Sequence, residues 1–429
     1  MSSPNQAELR RRIENGSRDA EDYKSLASLL YNAGHFPESV ALLEAALDLA
    51  LDDVKRADVL VILGWHANNV DNNVEEAKQL GKRAIALLPN PESADARLTK
   101  AFAESLVAQC ARHSDDSLAA QSASEALRLF DEVTAQRPGR AARPWTISLE
   151  RAALHLILGR SDLAVEECKT ACDTATTKVE LLSAWTELGS AYRAEGLLRE
   201  AGESFRAAID CGQDLPAGVV RVYYELASVE RSLDKLPEAR AKLQKARSIL
   251  REVPAAPQGY LTDVIRDIAE ISRDLGDYEE ASKSFAALVE CYGDIDPMRW
   301  ASMRCLAQCQ LELKEFELAR SVLQSVIQSP SAPIEDREAA KDELLTVRLL
   351  SAKTSYESND YLSCIRECEA ILPLMSGKTW LAETLLLLGH SNVAMGQKQK
   401  AKQFYEETIA APYALDRQVA MARECLARI

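Results

Sequence analysis

The chain has 429 residues, 47% of them hydrophobic and 27% charged, and 51 basic against 66 acidic side chains leave a net charge of −15. An acidic balance of that size disfavours general nucleic-acid binding, which needs a basic footprint. No apolar run approaches the ~18 residues of a membrane span, and the opening Met-Ser-Ser-Pro-Asn-Gln has no apolar signal region, so the chain reads as soluble and cytoplasmic.

Residues 1–18 read as a short capping helix, or half repeat. Ser3-Pro4 suits a helix start, Leu9 and Ile13 share a face, and Gly16 stops the helix. From 19 to 411 apolar residues recur three and four apart, and the alternation expected of strands is missing. A first helix pair carries Tyr23, Leu26, Ala27, Leu30, Gly34, Phe36, Leu43 and Ala46. A second has Leu60, Leu63, Gly64 and Ala67, then Ala77 and Ala84, with Val70-Asp71-Asn72-Asn73 as its turn. The third, about 98–137, is degenerate; only the stretches Ala101–Cys110 and Leu118–Val133 are legible as helices. The fourth has Ala152, Gly159, Ala164, Cys168 and Ala171.

The fifth is the clearest. Trp185, Leu188, Gly189 and Tyr192 form a first-helix stripe, Gly196 ends that helix, and Ala201, Phe205 and Ala208 repeat the spacing on a second. This order of large, small and turn residues resembles the tetratricopeptide repeat (TPR), a helix–turn–helix unit that stacks into a solenoid. A single pair cannot cover both of its apolar faces, so it must stack on copies of itself. The resemblance implies an all-α, right-handed TPR-type solenoid of about ten repeats with helical caps.

Weaker copies follow at Tyr223/Leu226/Ala227, Ile265/Ile268/Ala269, Met303/Leu306/Ala307, Ala352 and Leu385/Leu388/Gly389. The mean step is about 40 residues, against ~34 for the family. The excess falls in Pro- and Gly-bearing linkers such as 137–140, 254–257 and 329–333. Residues 412–429 read as a C-terminal capping helix in which Val419, Met421 and Leu426 cover the last pair.

Ten cysteines include three pairs four apart: Cys168/Cys172, Cys305/Cys309 and Cys364/Cys368. That spacing puts two sulfurs on one helix face, but Cys168, Cys364 and Cys368 fall in core slots of the repeat, where cysteine packs as a small apolar residue. No histidine stands near enough to complete a zinc set. His35, His66, His113, His155 and His390 are scattered, and Gly377-Lys378-Thr379 lacks the upstream glycine and strand of a phosphate loop. No catalytic, metal or cofactor site is expected.

By resemblance, the first helices line a concave groove. The slots one, five, and eight or nine past the Trp185 position give Thr186, Ser190 and Arg193; Tyr224, Ser228 and Arg231; Arg266, Glu270 and Arg273; and Arg304 and Gln308, with Arg221 and Lys353 as further basic candidates. Five arginines on one lining fit an acidic or phosphorylated peptide. The opposing reading is a solvated face neutralised by Glu230, Glu270 and Asp274. In the first half the same slots give Trp65, Asn68 and Asn69; the asparagines suit a peptide backbone, and Trp65 is either an exposed anchor or packed between helices. The chaperone-tail clamp of one TPR subclass does not fit, because Ser28 and Ile62 stand where its asparagines belong.

The function this predicts is a non-enzymatic scaffold or adaptor binding a peptide segment or partner protein in the groove. A peptide-responsive TPR regulatory sensor is the alternative, and an enzyme with an unrecognised groove active site the third reading.

Overall fold

The computed structural model describes residues 6–32, 35–50, 52–69, 73–136, 144–253, 259–375 and 380–429. Among these there are 22 α-helices, a single 3-10 turn and no strand. Helix α1 (Gln6–Glu14) comes first. Helices then follow in pairs: α2 (Ala20–Asn32) and α3 (Phe36–Leu49), α4 (Asp53–Asn69) and α5 (Val74–Leu87), α6 (Ala94–Ala111) and α7 (Asp116–Gln136). Next come α8 (Pro144–Ile157) and α9 (Ser161–Thr174), α10 (Lys178–Ala194) and α11 (Leu198–Cys211), α12 (Pro216–Ser232) and α13 (Leu236–Glu252). The rest are α14 (Tyr260–Asp274) and α15 (Tyr278–Cys291), α16 (Pro297–Glu312) and α17 (Phe316–Gln328), α18 (Ile334–Glu357) and α19 (Tyr361–Ile371), α20 (Leu381–Ala394) and α21 (Lys398–Ala410), and finally α22 (Asp416–Arg428). The third repeat, degenerate in sequence, is a full pair of long helices. Two compact units emerge, Met1–Val264 and Ile265–Ile429, divided within α14.

Seven of the described hairpins share one backbone device. Gly196 has φ of 79°; its N–H donates to the Arg193 carbonyl at 3.0 Å, and the Leu197 N–H reaches back to the Tyr192 carbonyl at 2.9 Å. These two bonds satisfy carbonyls that the helix end leaves orphaned. Gly159, Gly276 and Gly396 do the same, and so do Asp234, Lys314 and Asn359, each with φ near +60° despite carrying a side chain. The turns expected at 70–73 and at the 137–140 and 254–257 linkers, Gly34 and the Ser3-Pro4 helix start lie wholly or partly outside the described residues.

Small residues on the second helices bring the layers together. Ala164, Val165, Cys168, Ala152, Leu188 and Ala191 form one core cluster, with Trp185 and Tyr192 half-buried at its edge. Cys364 and Cys368 lie fully buried among Leu349, Ala352, Ile371, Met375 and Leu388. All ten cysteines are free thiols, and burial pushes the Cys110 and Cys309 thiols up to about 11. The sixth repeat departs from the apolar rule. Glu230 occupies the slot that Tyr192 fills in the fifth, is 3% exposed, and meets Arg206 of α11 at 3.4 Å. Its second oxygen is buried without a hydrogen-bond partner among the described residues.

Leu9 of α1 is buried against Leu26 and Leu30 of α2. At the other end α22 packs on α21 through Ala422, Cys425, Leu426 and Ile429. Met421, expected in that contact, is 49% exposed. Ala422 is the next residue along, a turn of about 100° that decides which side chain faces inward.

Candidate functional site

In the first unit, first helices of successive pairs touch one another: α4 meets α6, α6 meets α8, α8 meets α10, and α10 meets α12. Their shared face is crossed by side-chain pairs one repeat apart. Lys24 of α2 bonds Asp58 of α4 at 2.7 Å. Arg221 of α12 reaches back to Glu187 of α10 at 2.8 Å, and Arg193 of α10 reaches forward to Glu225 of α12. The guanidinium of Arg221 holds its proton more firmly than usual, chiefly because of Glu187, with Tyr260 and Glu225 adding to the field. Tyr224 sits with its ring centroid 5.8 Å from that of Tyr260. Arg231 lies exposed near the end of α12.

One carboxyl on this face is paired differently. Glu150 of α8 takes the Ser105 hydroxyl at 2.5 Å and the Gln109 amide at 3.2 Å, both through Oε2. Both donors are neutral and both belong to α6. Burial, with Glu187 nearby, pushes the Glu150 carboxyl up to about 7 although the Ser105 hydrogen bond opposes the shift.

Other expected residues take several roles. Thr186 is buried, its hydroxyl donating to the Leu182 carbonyl at 2.6 Å, so it is not offered to a partner. Trp65 is half-buried, packed against Leu60 and Val61 on one side and Ala67 and Leu106 on the other. The Asn68 amide donates to Asn69 at 2.9 Å, and the Cys110 thiol approaches Asn68 at 3.8 Å.

In the second unit, Arg266 donates to the Tyr292 hydroxyl at 3.4 Å. Arg273 lies 3.6 Å from the Cys305 sulfur and 3.7 Å from Asp274. Arg304 forks onto two carboxylates of α18, Glu343 at 2.7 Å and Asp336 at 3.1 Å. Gln308 joins Glu343 at 3.3 Å, and Lys353 pairs with Glu383 of α20. The arginines therefore fall into two sets, Arg193 and Arg231 in one unit and Arg266, Arg273 and Arg304 in the other, and Arg193, Arg221 and Arg304 are matched by carboxylates.

The first-helix carboxylates of the first unit are what the sequence reading missed. Glu150, Glu187 and Glu225 stand two residues past the Trp185 slot in three successive repeats. They lie three residues, less than one turn, before the slots that were read, and so share their face. The repetition of glutamate at that offset was the available signal.

No acid–base constellation stands out among the described residues. His66 is buried beside Ser39 at 3.3 Å and the Tyr31 ring, burial lowers the pKa of His155, and His390 Nδ1 lies 2.7 Å from the Tyr405 hydroxyl. Among the described residues no group of three or more His, Cys, Asp or Glu is arranged to hold a metal, and no helix is long and apolar enough to cross a membrane. Gly377-Lys378-Thr379 lies outside the described residues.

A tetratricopeptide repeat family model matches residues 25–98 and 267–333, and a second model of the same repeat matches 182–210 and 382–411. No curated protein matches the chain. Among solved structures, the apo form of RapI aligns over 87% of this chain and 98% of its own at 10% identity, with a TM-score of 0.49. TTC0263, a TPR protein of Thermus thermophilus, is 21% identical over 48% of this chain and 98% of its own, with a TM-score of 0.37. MamA is also 21% identical, over 40% of this chain and 88% of its own, with a TM-score of 0.33. The matched segments fall on the helix pairs described above, in both units, and these segments are tetratricopeptide repeats within an all-α solenoid.

Proposed function

We propose that the chain is a non-enzymatic interaction scaffold that holds a peptide segment or a partner protein along its first-helix face. The observation that carries this reading is the polar lining itself. Side chains such as Arg193, Glu187, Arg221 and Glu225 are held by one another across successive helices, leaving a patterned surface that the core does not consume. In the first unit the residues assigned to the lining are Arg193, Tyr224 and Arg231, with Asn68 and Asn69 further along; in the second they are Arg266, Arg273 and Arg304. Trp65 supports the lining from beneath. An acidic or phosphorylated segment would have to displace Glu225 and Glu187, or Asp336 and Glu343, from their arginines, so the pairing gives that preference no support.

Co-purification from the native cell at moderate salt identifies what stays bound. The double variant Tyr224→Ala/Arg231→Glu, which leaves the core untouched, is expected to lose the partner. A partner retained by that variant and lost on changing the second-helix face would move the site off the first helices.

A further inference from the structure

Three acidic side chains on the first helices of the first unit meet a cation from a neighbouring repeat, and among the described residues Glu150 meets none. Asp58, Glu187 and Glu225 each meet a lysine or arginine from a neighbouring repeat. Glu150 meets Ser105 and Gln109 of α6, and on its other side α10 presents a second carboxylate, Glu187, already committed to Arg221. The neighbouring cation on α8, Arg151, is taken by Asp131 of α7 and Glu167 of α9. Both hydrogen bonds to Glu150 end on Oε2, so Oε1 is left over on a carboxyl whose direction is already fixed. A fixed carboxylate oxygen with a second carboxylate one repeat away is suited to a mobile cation that brings its own donors.

We infer that the turn formed by Ser105, Gln109, Glu150 and Glu187 receives a lysine or arginine side chain of the bound segment, so that the first unit selects a basic partner. This rests on the first-helix face being the binding face. It supplies the cation that the repeat pattern provides at Glu187 and Glu225 and withholds at Glu150. The chain's net charge of −15 helps draw a basic segment in, although it does not by itself place one. Because Glu150 titrates near 7, an arriving cation expels a proton from the site, and binding strengthens as pH rises through neutrality.

The test uses the full chain and two labelled decapeptides, one alternating lysine with alanine and one alternating glutamate with alanine, followed by fluorescence anisotropy between pH 6 and 8.5. The lysine peptide is expected to bind more tightly at pH 8 than at pH 6. Glu150→Gln, which keeps an oxygen for Ser105, is expected to weaken it by about tenfold and to flatten the pH dependence, one charge-assisted contact being worth roughly that much. Glu238→Gln, on a second helix, controls for loose attraction to an acidic surface and should change nothing. Lysine-peptide binding unaffected by Glu150→Gln, preferential binding of the glutamate peptide, or no binding of either would each overturn the inference. The binding-face reading is judged separately: a native partner lost from Tyr224→Ala/Arg231→Glu but kept by Glu150→Gln retains that face while excluding this use of it.

Discussion

A Cβ placed on Gly189 would stand 2.6 Å from the ring of Phe205, closer than real side chains approach one another. The same relationship recurs between Gly389 and Tyr405, at 2.5 Å, and in both the ring belongs to the second helix of the same pair. Glycine is needed because an aromatic ring lies flat against the first helix. Gly189→Ala and Gly389→Ala are each expected to cost about 1–3 kcal/mol by overpacking, read as a shift in urea midpoint. Combining Gly189→Ala with Phe205→Leu should recover part of the loss; no recovery would mean the ring is not what crowds the site.

Trp185 is half-buried, so its removal opens a partial cavity. Trp185→Ala should cost about 2–3 kcal/mol, below the ~3–5 typical of a fully buried aromatic. A loss at or above the upper figure would show that the ring carries more of the fifth repeat than its exposure indicates.

Lys314 sits at φ of 61°, where the hairpins at 159, 196, 276 and 396 use glycine. A side chain in the left-handed region carries a steric penalty that glycine lacks. Lys314→Gly is therefore expected to stabilise the protein by about 0.5–1 kcal/mol, and Gly196→Ala to destabilise it by about 1 kcal/mol. Chemical denaturation of the two variants checks both signs at once.

Glu150 gives stability an unusual pH dependence. An ordinary glutamate titrates at 4.5, and Glu150 in the fold titrates at about 7. Between these values the folded chain holds a proton that the unfolded chain has released, so stability contributed by this group falls as pH rises through the window and stays low above it. Glu150→Gln removes the effect and should raise stability at pH 8 relative to pH 5 by on the order of 2 kcal/mol. Parallel melts of the two proteins at both pH values decide it; identical profiles would mean the carboxyl is not raised.

The thiols should sort by depth. Cys291 is exposed and should react first with a thiol reagent in the native protein, whereas Cys168, Cys364 and Cys368 should react only after unfolding. Native-state labelling at Cys368 would contradict the packed core around it.

The helix pairs were legible because Trp185, Gly189, Tyr192, Gly196 and Phe205 each do a distinct steric job, and weaker copies keep enough of that order to be aligned. The third pair lost its signature and kept its helices, since Ala101, Ala108, Ala123 and Ala126 suffice for close packing. Hairpins at Asp234, Lys314 and Asn359 were harder to see, because the left-handed turn is normally announced by glycine. The lining was read by offset from a slot, and that reading found the arginines but passed over Glu150, Glu187 and Glu225. Cross-repeat pairing is a property of two helices together, and no single helix pattern displays it. On α22, Leu426 packs inward as expected, whereas Met421 yields its place to Ala422, which is small enough to be overlooked beside it.

Glu230 bears on whether the repeats are interchangeable parts. A repeat with Tyr in that slot can be followed or preceded by many neighbours, since an aromatic ring asks only for apolar company. A glutamate in the same slot needs Arg206, and Arg206 belongs to the second helix of the preceding repeat. Transplanting the sixth repeat elsewhere in the array, or replacing the fifth by a consensus unit, would leave a carboxylate buried with no cation to answer it, a heavier loss than any exposed pair would cause. The fifth and sixth repeats therefore have to be inherited, deleted or shuffled together, which makes the boundary between them a poor place to cut the chain and a poor place for recombination.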